Sequence, residues 1–175
     1  MPATISVTET GLTTALQMWL AELLGIEWQK IALTQQNRVP MLKGVFIYMT
    51  PWRLTARSYT RTEYLRDTGE RVDTRVNEWR VQLDFYGPEA FEQASIVSTM
   101  LRTDAAVQML ADTPITPLYA DDPAQGSIID SEQQWEQRWT LDAHFQADIA
   151  ITTGQQFAES LNVNLVEIDT HYQPG

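Results

Sequence analysis

Imidazole chemistry in this chain would have to come from His144 and His171, its two histidines. His144 falls on the polar side of an alternating segment and His171 near the C-terminus, with no second His or Cys at ligand spacing. Solvent-exposed histidines explain both better than a general base or a metal site. Asp121-Asp122 and Asp130-Ser131-Glu132 are the carboxylate clusters that acid–base or metal chemistry could recruit. Pro123 follows the first and a strand pattern the second, so turn and surface roles account for them more simply. There is no Gly-x-Ser-x-Gly elbow, no Gly-rich loop ending in Lys-Ser or Lys-Thr, and no Gly-x-Gly-x-x-Gly. The chain has no Cys, which removes thiolate nucleophiles, Cys-ligated metals and disulfides. The expectation is a protein without catalytic residues, metal or cofactor.

Guanidinium groups are the other candidates. Arg53, Arg57 and Arg61 share parity with Thr55 and Tyr59, and Arg66, Arg71 and Arg75 carry the charge onward. Such a stripe could follow phosphates. Glu63, Asp67, Glu70, Asp73 and Glu78 are interleaved with it, however, and favour contact with an acidic protein surface over tight nucleic-acid binding. Net charge is −11. Residues 1–80 hold ten basic and eight acidic residues, +2; residues 81–175 hold two basic and fifteen acidic, −13. A chain so divided is suited to meeting copies of itself, or a charged partner, in a fixed orientation.

The elements that must present these groups follow from periodicity. Leu12, Leu16, Trp19, Leu20, Leu23 and Leu24 form one face of a helix from Thr10 to Leu24, and Gly25 ends it. Glu27 to Pro40 reads as a loop containing Gln36, Asn37 and Arg38. Val45 to Met49 is a β-rich run broken at Pro51, and strand resumes from Trp52 to about Thr60. With Asp67-Thr68-Gly69-Glu70 as turn chemistry, residues 52–86 read as a long hairpin whose tip, 61–73, projects from the sheet. Trp79, Val81, Leu83 and Phe85 alternate with Arg80, Gln82, Asp84 and Tyr86, a strand with one buried face. Gly87-Pro88 stops it and starts a helix packing through Phe91, Ala94, Val97, Ser98 and Leu101. A helical piece at Asp104–Leu110, an extended Thr113–Tyr119 with two prolines, and a loop at Asp121–Gly126 come next. Gln133 to Phe145 alternates throughout and would span roughly 40 Å. A short helix at Gly154–Leu161 and a strand at Val163–Ile168 close the chain. Trp28, Trp52 and Trp135 fit either a core or an interface.

At 175 residues and 43% hydrophobic, the chain supports one domain spanning 1–175, with residues 1–10 a loose start. The order of elements gives α+β: a mainly antiparallel, mixed sheet with two helices on one face. No basic N-terminal region precedes an apolar run, and no run approaches ~20 apolar residues, so a soluble, non-secreted protein without membrane contact is expected.

Several segments, taken in order, resemble the neck or tail terminator proteins of long-tailed bacteriophages. They are Gln36-Asn37-Arg38-Val39-Pro40, then Tyr48-Met49-Thr50, Asp84-Phe85-Tyr86-Gly87-Pro88, Pro117-Leu118-Tyr119-Ala120-Asp121, Trp135-Glu136-Gln137-Arg138-Trp139 and Glu167-Ile168-Asp169. The resemblance covers about Leu12 to Tyr172. It implies a small α+β subunit of the virion, assembled in the host cytoplasm into a ring of usually six copies. The ring would cap the tail tube, offer a surface to the head connector, and let genomic DNA pass through its lumen without specific binding. The tube, the connector and in some tails a sheath protein are the implied partners. The interface residues assigned on this reading are Arg53, Arg57, Arg61, Arg66, Arg71, Gln36, Asn37 and Arg38, with the basic hairpin meeting the acidic second half of a neighbour. The alternatives are another connector, adaptor or tube protein, a small carboxylate-dependent hydrolase, and a nucleic-acid binder.

Overall fold

The computed structural model describes residues 2–34, 43–129 and 135–156. Its first helix, α1 (Glu9–Leu24), is set by its ends. The Thr8 side chain accepts from the Gly11 amide at 3.1 Å, and Gly25 takes φ 64 to close the last turn. Such caps contribute about 1 kcal/mol each. Residues 1–10, expected as a loose start, instead hold this cap and a short strand, β1 (Thr4–Ile5), paired antiparallel with the last strand.

Residues expected as loop after α1 form a 3-10 turn (Trp28–Lys30) and β2 (Ile31–Leu33). Three residues are too few to show a period. Strand β3 (Phe46–Ala56) is continuous through Pro51, because a bulge between Pro51 and Arg53 absorbs the irregularity. That bulge leaves Trp52 as the extra residue, so Ile47 and Met49 share a face with Leu54 rather than with Arg53.

The expected free tip at 61–73 is paired structure. Strand β4 (Arg61–Leu65) and the first residues of β5 (Glu70–Tyr86) form a hairpin, and Glu70–Thr74 also pairs with Ala150–Gly154. Only the turn between Leu65 and Glu70 remains of the tip. Beyond β5, Gly87 takes φ 100 and leads into α2 (Ala90–Met100), followed by α3 (Asp104–Met109) and β6 (Thr116–Ala120). The second half of the expected loop at 121–126 starts β7 (Ala124–Ile129), which pairs with the last strand. That strand, β8 (Trp135–Gly154), runs well past Phe145, and Gly154 ends it rather than opening a helix. Residues 155 and 156 are not helical either, and the rest of that expected helix, with the strand expected at 163–168, lies outside the described residues.

The result is α+β: an open, mostly antiparallel eight-stranded sheet, ordered β1-β8-β5-β3-β2, with β4 flanking β5 and β6 and β7 flanking β8. The β2–β3 pair is parallel. Leu16, Trp19 and Leu20 of α1 and Ala94 and Val97 of α2 pack on Met49, Leu83, Phe85, Leu141 and Phe145. Each such large side chain contributes about 1.5–3 kcal/mol when fully buried. Phe91, expected in this face, lies outward against the Trp139 ring at 4.9 Å. Trp28 and Trp52 are exposed, and the side chain of Trp135 falls outside the described set.

Candidate functional site: two faces and an overhang of the sheet

The face turned away from the helices carries the even-numbered residues of β5 and β8. Three ion pairs cross between these strands on one diagonal, each joining a β5 residue to the position two before its register partner. Asp84 stands opposite Thr140 and binds Arg138 at 2.8 Å; Arg80 stands opposite His144 and binds Asp142; Glu78 stands opposite Gln146 and meets His144 Nδ1 at 2.7 Å. Diagonal neighbours in an antiparallel ladder are within reach of long side chains, so a repeated offset gives a repeated pair. Thr140 donates to Asp84 at 2.6 Å and Gln82 at 3.1 Å, which satisfies a carboxylate only 3% exposed.

His144 is the clearest departure from the sequence reading. It is 7% exposed, not a surface residue, and its ring stacks on Tyr119 at 4.3 Å. An ionised carboxylate only accepts, so the Nδ1 proton points at Glu78. Its Nε2 finds no hydrogen-bond partner among the described residues, and the Asp121 carboxylate lies 3.8 Å away. Burial alone pushes the Glu78 carboxyl up; the hydrogen bonds from His144 and Arg57 outweigh it and hold it below its ordinary range. For Arg138, burial likewise opposes the charge, and Asp84 raises its pKa against that cost. Phe46 and Tyr86 stack on the same face at 4.5 Å, with the Tyr48 ring edge-on to both.

The arginine stripe is divided by the fold. Arg53 lies in β3, Arg57 just past its end and Arg61 on β4. Arg57 is committed to Glu78, donating from Nε at 2.5 Å. Arg61 reaches Glu63 at 3.6 Å on the surface, and Arg71 binds Asp73 at 2.9 Å, where hydrogen bonds from Thr62 and Arg71 hold that carboxyl down. Arg53, Arg66 and Arg75 have no carboxylate partner among the described residues; Arg75 donates to the Asn77 amide oxygen at 3.1 Å. Gln36, Asn37 and Arg38 lie outside the described residues. Pairing within the chain therefore removes half of the six-arginine stripe from service to phosphates.

The helical layer is the acidic surface. Glu22, Glu27, Glu89, Glu92, Asp104 and Asp112 are all exposed on α1, α2, α3 and their flanks, and no ion pair joins any of them to a described residue. Met18 and Ile96 are exposed beside them.

The sheet also outruns its helices. At ~3.3 Å per residue, the 17 residues of β5 and 20 of β8 span roughly 55 and 65 Å, against about 24 Å for the 16 residues of α1. Beyond α1, an open groove of about 340 Å³ is lined by Ile5, Val7, Leu12, Trp52, Leu54 and Ile149, together with the charged Glu9 and Arg53. Trp52 is 64% exposed there, and Ile151 extends the apolar surface opposite Ile5. Among the described residues, no group of three or more His, Cys, Asp or Glu could hold a metal ion, and no helix is long and apolar enough to cross a membrane.

The class so defined is an α+β protein built on one long sheet, with its charged groups organised by strand register rather than around a pocket. The family model of phage neck terminator proteins matches residues 10–173, and the chain belongs to that family, a structural one. No curated protein matches the chain.

Proposed function

We propose that this neck terminator subunit joins copies of itself, six in the arrangement the resemblance implies, into a ring. The ring ends the tail tube and receives the head connector, and a sheath protein binds where the tail has one. The observation that carries this reading is the contrast between two surfaces of one chain: a helical layer whose carboxylates have no ion pair among the described residues, and a sheet end where Arg53, Arg66 and Arg75 stand without a carboxylate partner beside Asp67 and Glu70. Opposite charges on different parts of one surface favour heterologous contacts, which form rings when the rotation per copy closes. The subunit acts by shape and charge in the virion, after assembly in the host cytoplasm, and transforms no substrate. Surplus carboxylates facing the lumen would repel phosphates and let the genome slide past.

Native mass spectrometry of the purified protein, alone and with tail tubes, tests the ring. Six copies of a 20.0 kDa chain give about 120 kDa. Arg57 is unsuitable for charge reversal because Glu78 depends on it, so Arg61→Glu with Arg66→Glu is the informative pair. The pair should leave a folded monomer and lower ring yield at low salt. A protein that stays monomeric even on tail tubes overturns the ring. Salt-dependent retention on DNA would instead favour the nucleic-acid reading.

A further inference from the structure

The helices of this chain stop short of its strands, and the sheet they leave bare carries an apolar patch. Ile5, Leu54, Ile149 and Ile151 share the helix side of the overhang by register, with the Trp52 bulge at its edge. Arg75 stands opposite Ile149 on that same side, exposed and without a carboxylate. Arg71, four residues away, is already neutralised by Asp73. The carboxylate that lines the groove, Glu9, sits in the first turn of α1, where it favours the helix's positive end.

We propose that this overhang receives the outer face of α1 and α2 from a second copy of the chain. It rests on the ring reading above and names the surfaces that would make the ring. The occupant is chosen by complementarity in two respects. Met18 and Glu22 are four residues apart on α1, as are Glu92 and Ile96 on α2, so each helix places one apolar and one acidic side chain together on its outer surface. The overhang offers the counterpart, an apolar floor beside an uncompensated guanidinium. The two surfaces differ, so the contact is head-to-tail and each copy keeps one of each free for the next.

The absence of Cys makes the test clean. Leu54→Cys and Ile96→Cys proteins, mixed and treated with a short bis-maleimide, should yield a 54–96 cross-linked dimer that neither yields alone. Trp52→Glu, at an exposed position, should keep the far-ultraviolet circular dichroism of the parent and weaken ring formation at least tenfold. Arg75→Glu should do the same, and adding Glu22→Arg and Glu92→Arg should restore it. Rings that form normally with Trp52→Glu and show no 54–96 link overturn this interface while leaving the ring itself standing. A link from residue 54 to a tube protein overturns it as well, because the overhang then has another occupant. A chain that never forms a ring, with or without tubes, removes both proposals together.

Discussion

Replacing Asp84 by alanine should be among the costliest single changes on the charged face. Its carboxylate accepts from Arg138 Nε at 3.0 Å and Nη2 at 2.8 Å, from Thr140 at 2.6 Å and from Gln82 at 3.1 Å. Its side chain is 4% exposed and that of Arg138 28%. Removing one partner of a buried pair costs about 3–5 kcal/mol, since the other charge stays desolvated. The guanidinium's remaining access to water places this case near the lower bound, about 3 kcal/mol. For a chain of this size each kcal/mol moves Tm by about 2–4 °C, so Tm should fall by roughly 6–12 °C. Arg138→Met strands the buried carboxylate and should cost a similar amount. The double variant Asp84→Leu with Arg138→Met removes both charges and should recover most of the loss, because apolar replacement of a whole buried pair is often close to neutral. Urea unfolding at one fixed protein concentration measures all three, which keeps association out of the comparison. The reasoning fails if Asp84→Ala stays within about 1 kcal/mol of the parent, or if the double change costs the sum of the singles.

Glu78, whose carboxyl is held below its ordinary value of 4.5, contributes stability that is present above that pH and lost as pH falls through its folded pKa. The gap in urea midpoint between the parent and Glu78→Gln should therefore be constant from pH 7 to about 5 and shrink below 4.5; a gap that widens in acid contradicts the pairing. Gly87→Ala places a Cβ 3.2 Å from the Gly44 carbonyl oxygen at φ +100, whereas Gly25→Ala meets nothing within 4 Å at φ +64. The first should cost roughly 1–3 kcal/mol and the second about 1 kcal/mol, and thermal unfolding that reverses this order would refute the contact argument. Phe145→Ala, at the centre of the core, should cost about 3–5 kcal/mol by the same measurement.

What the sequence made legible was what repeats. The 3.6 period of α1 and the alternation along β5 and β8 are long enough to override local noise, and Gly25 marks the end of α1, whose Thr8 cap the loose-start reading missed. Strands β2 and β7 are short and exist because β3 and β8 offer edges to pair with, a fact of tertiary register that no local window contains. The alternation rule also placed His144 correctly on the polar side yet misjudged its exposure. Parity tells which face a residue takes, not what stands beside it. Tyr119 comes from a strand paired on one flank and Glu78 from the strand on the other, and together they take the imidazole out of water. Arg57 shows the same limit for charge: its partner lies 21 residues on and is adjacent only because β3 folds back on β5. Counting charges along the chain treated it as a free cation.

One consequence of the sheet's length separates folding from assembly. The core on the helix side ends near Trp79 and Ala147, the residues of β5 and β8 in the buried cluster that lie nearest the overhang. On the near side of that boundary, truncating a side chain opens a cavity and should lower the stability of the single subunit. On the far side, Trp52, Leu54 and Ile151 are already in water, so shortening them removes little that folding had gained. If the overhang is covered only when copies meet, changes there should leave the monomer's unfolding free energy within about 0.5 kcal/mol while moving the ring's dissociation constant. Parallel measurement of monomer unfolding and ring dissociation across that boundary should therefore sort the substitutions into two groups. A single correlated trend would mean that the overhang belongs to the folding core after all.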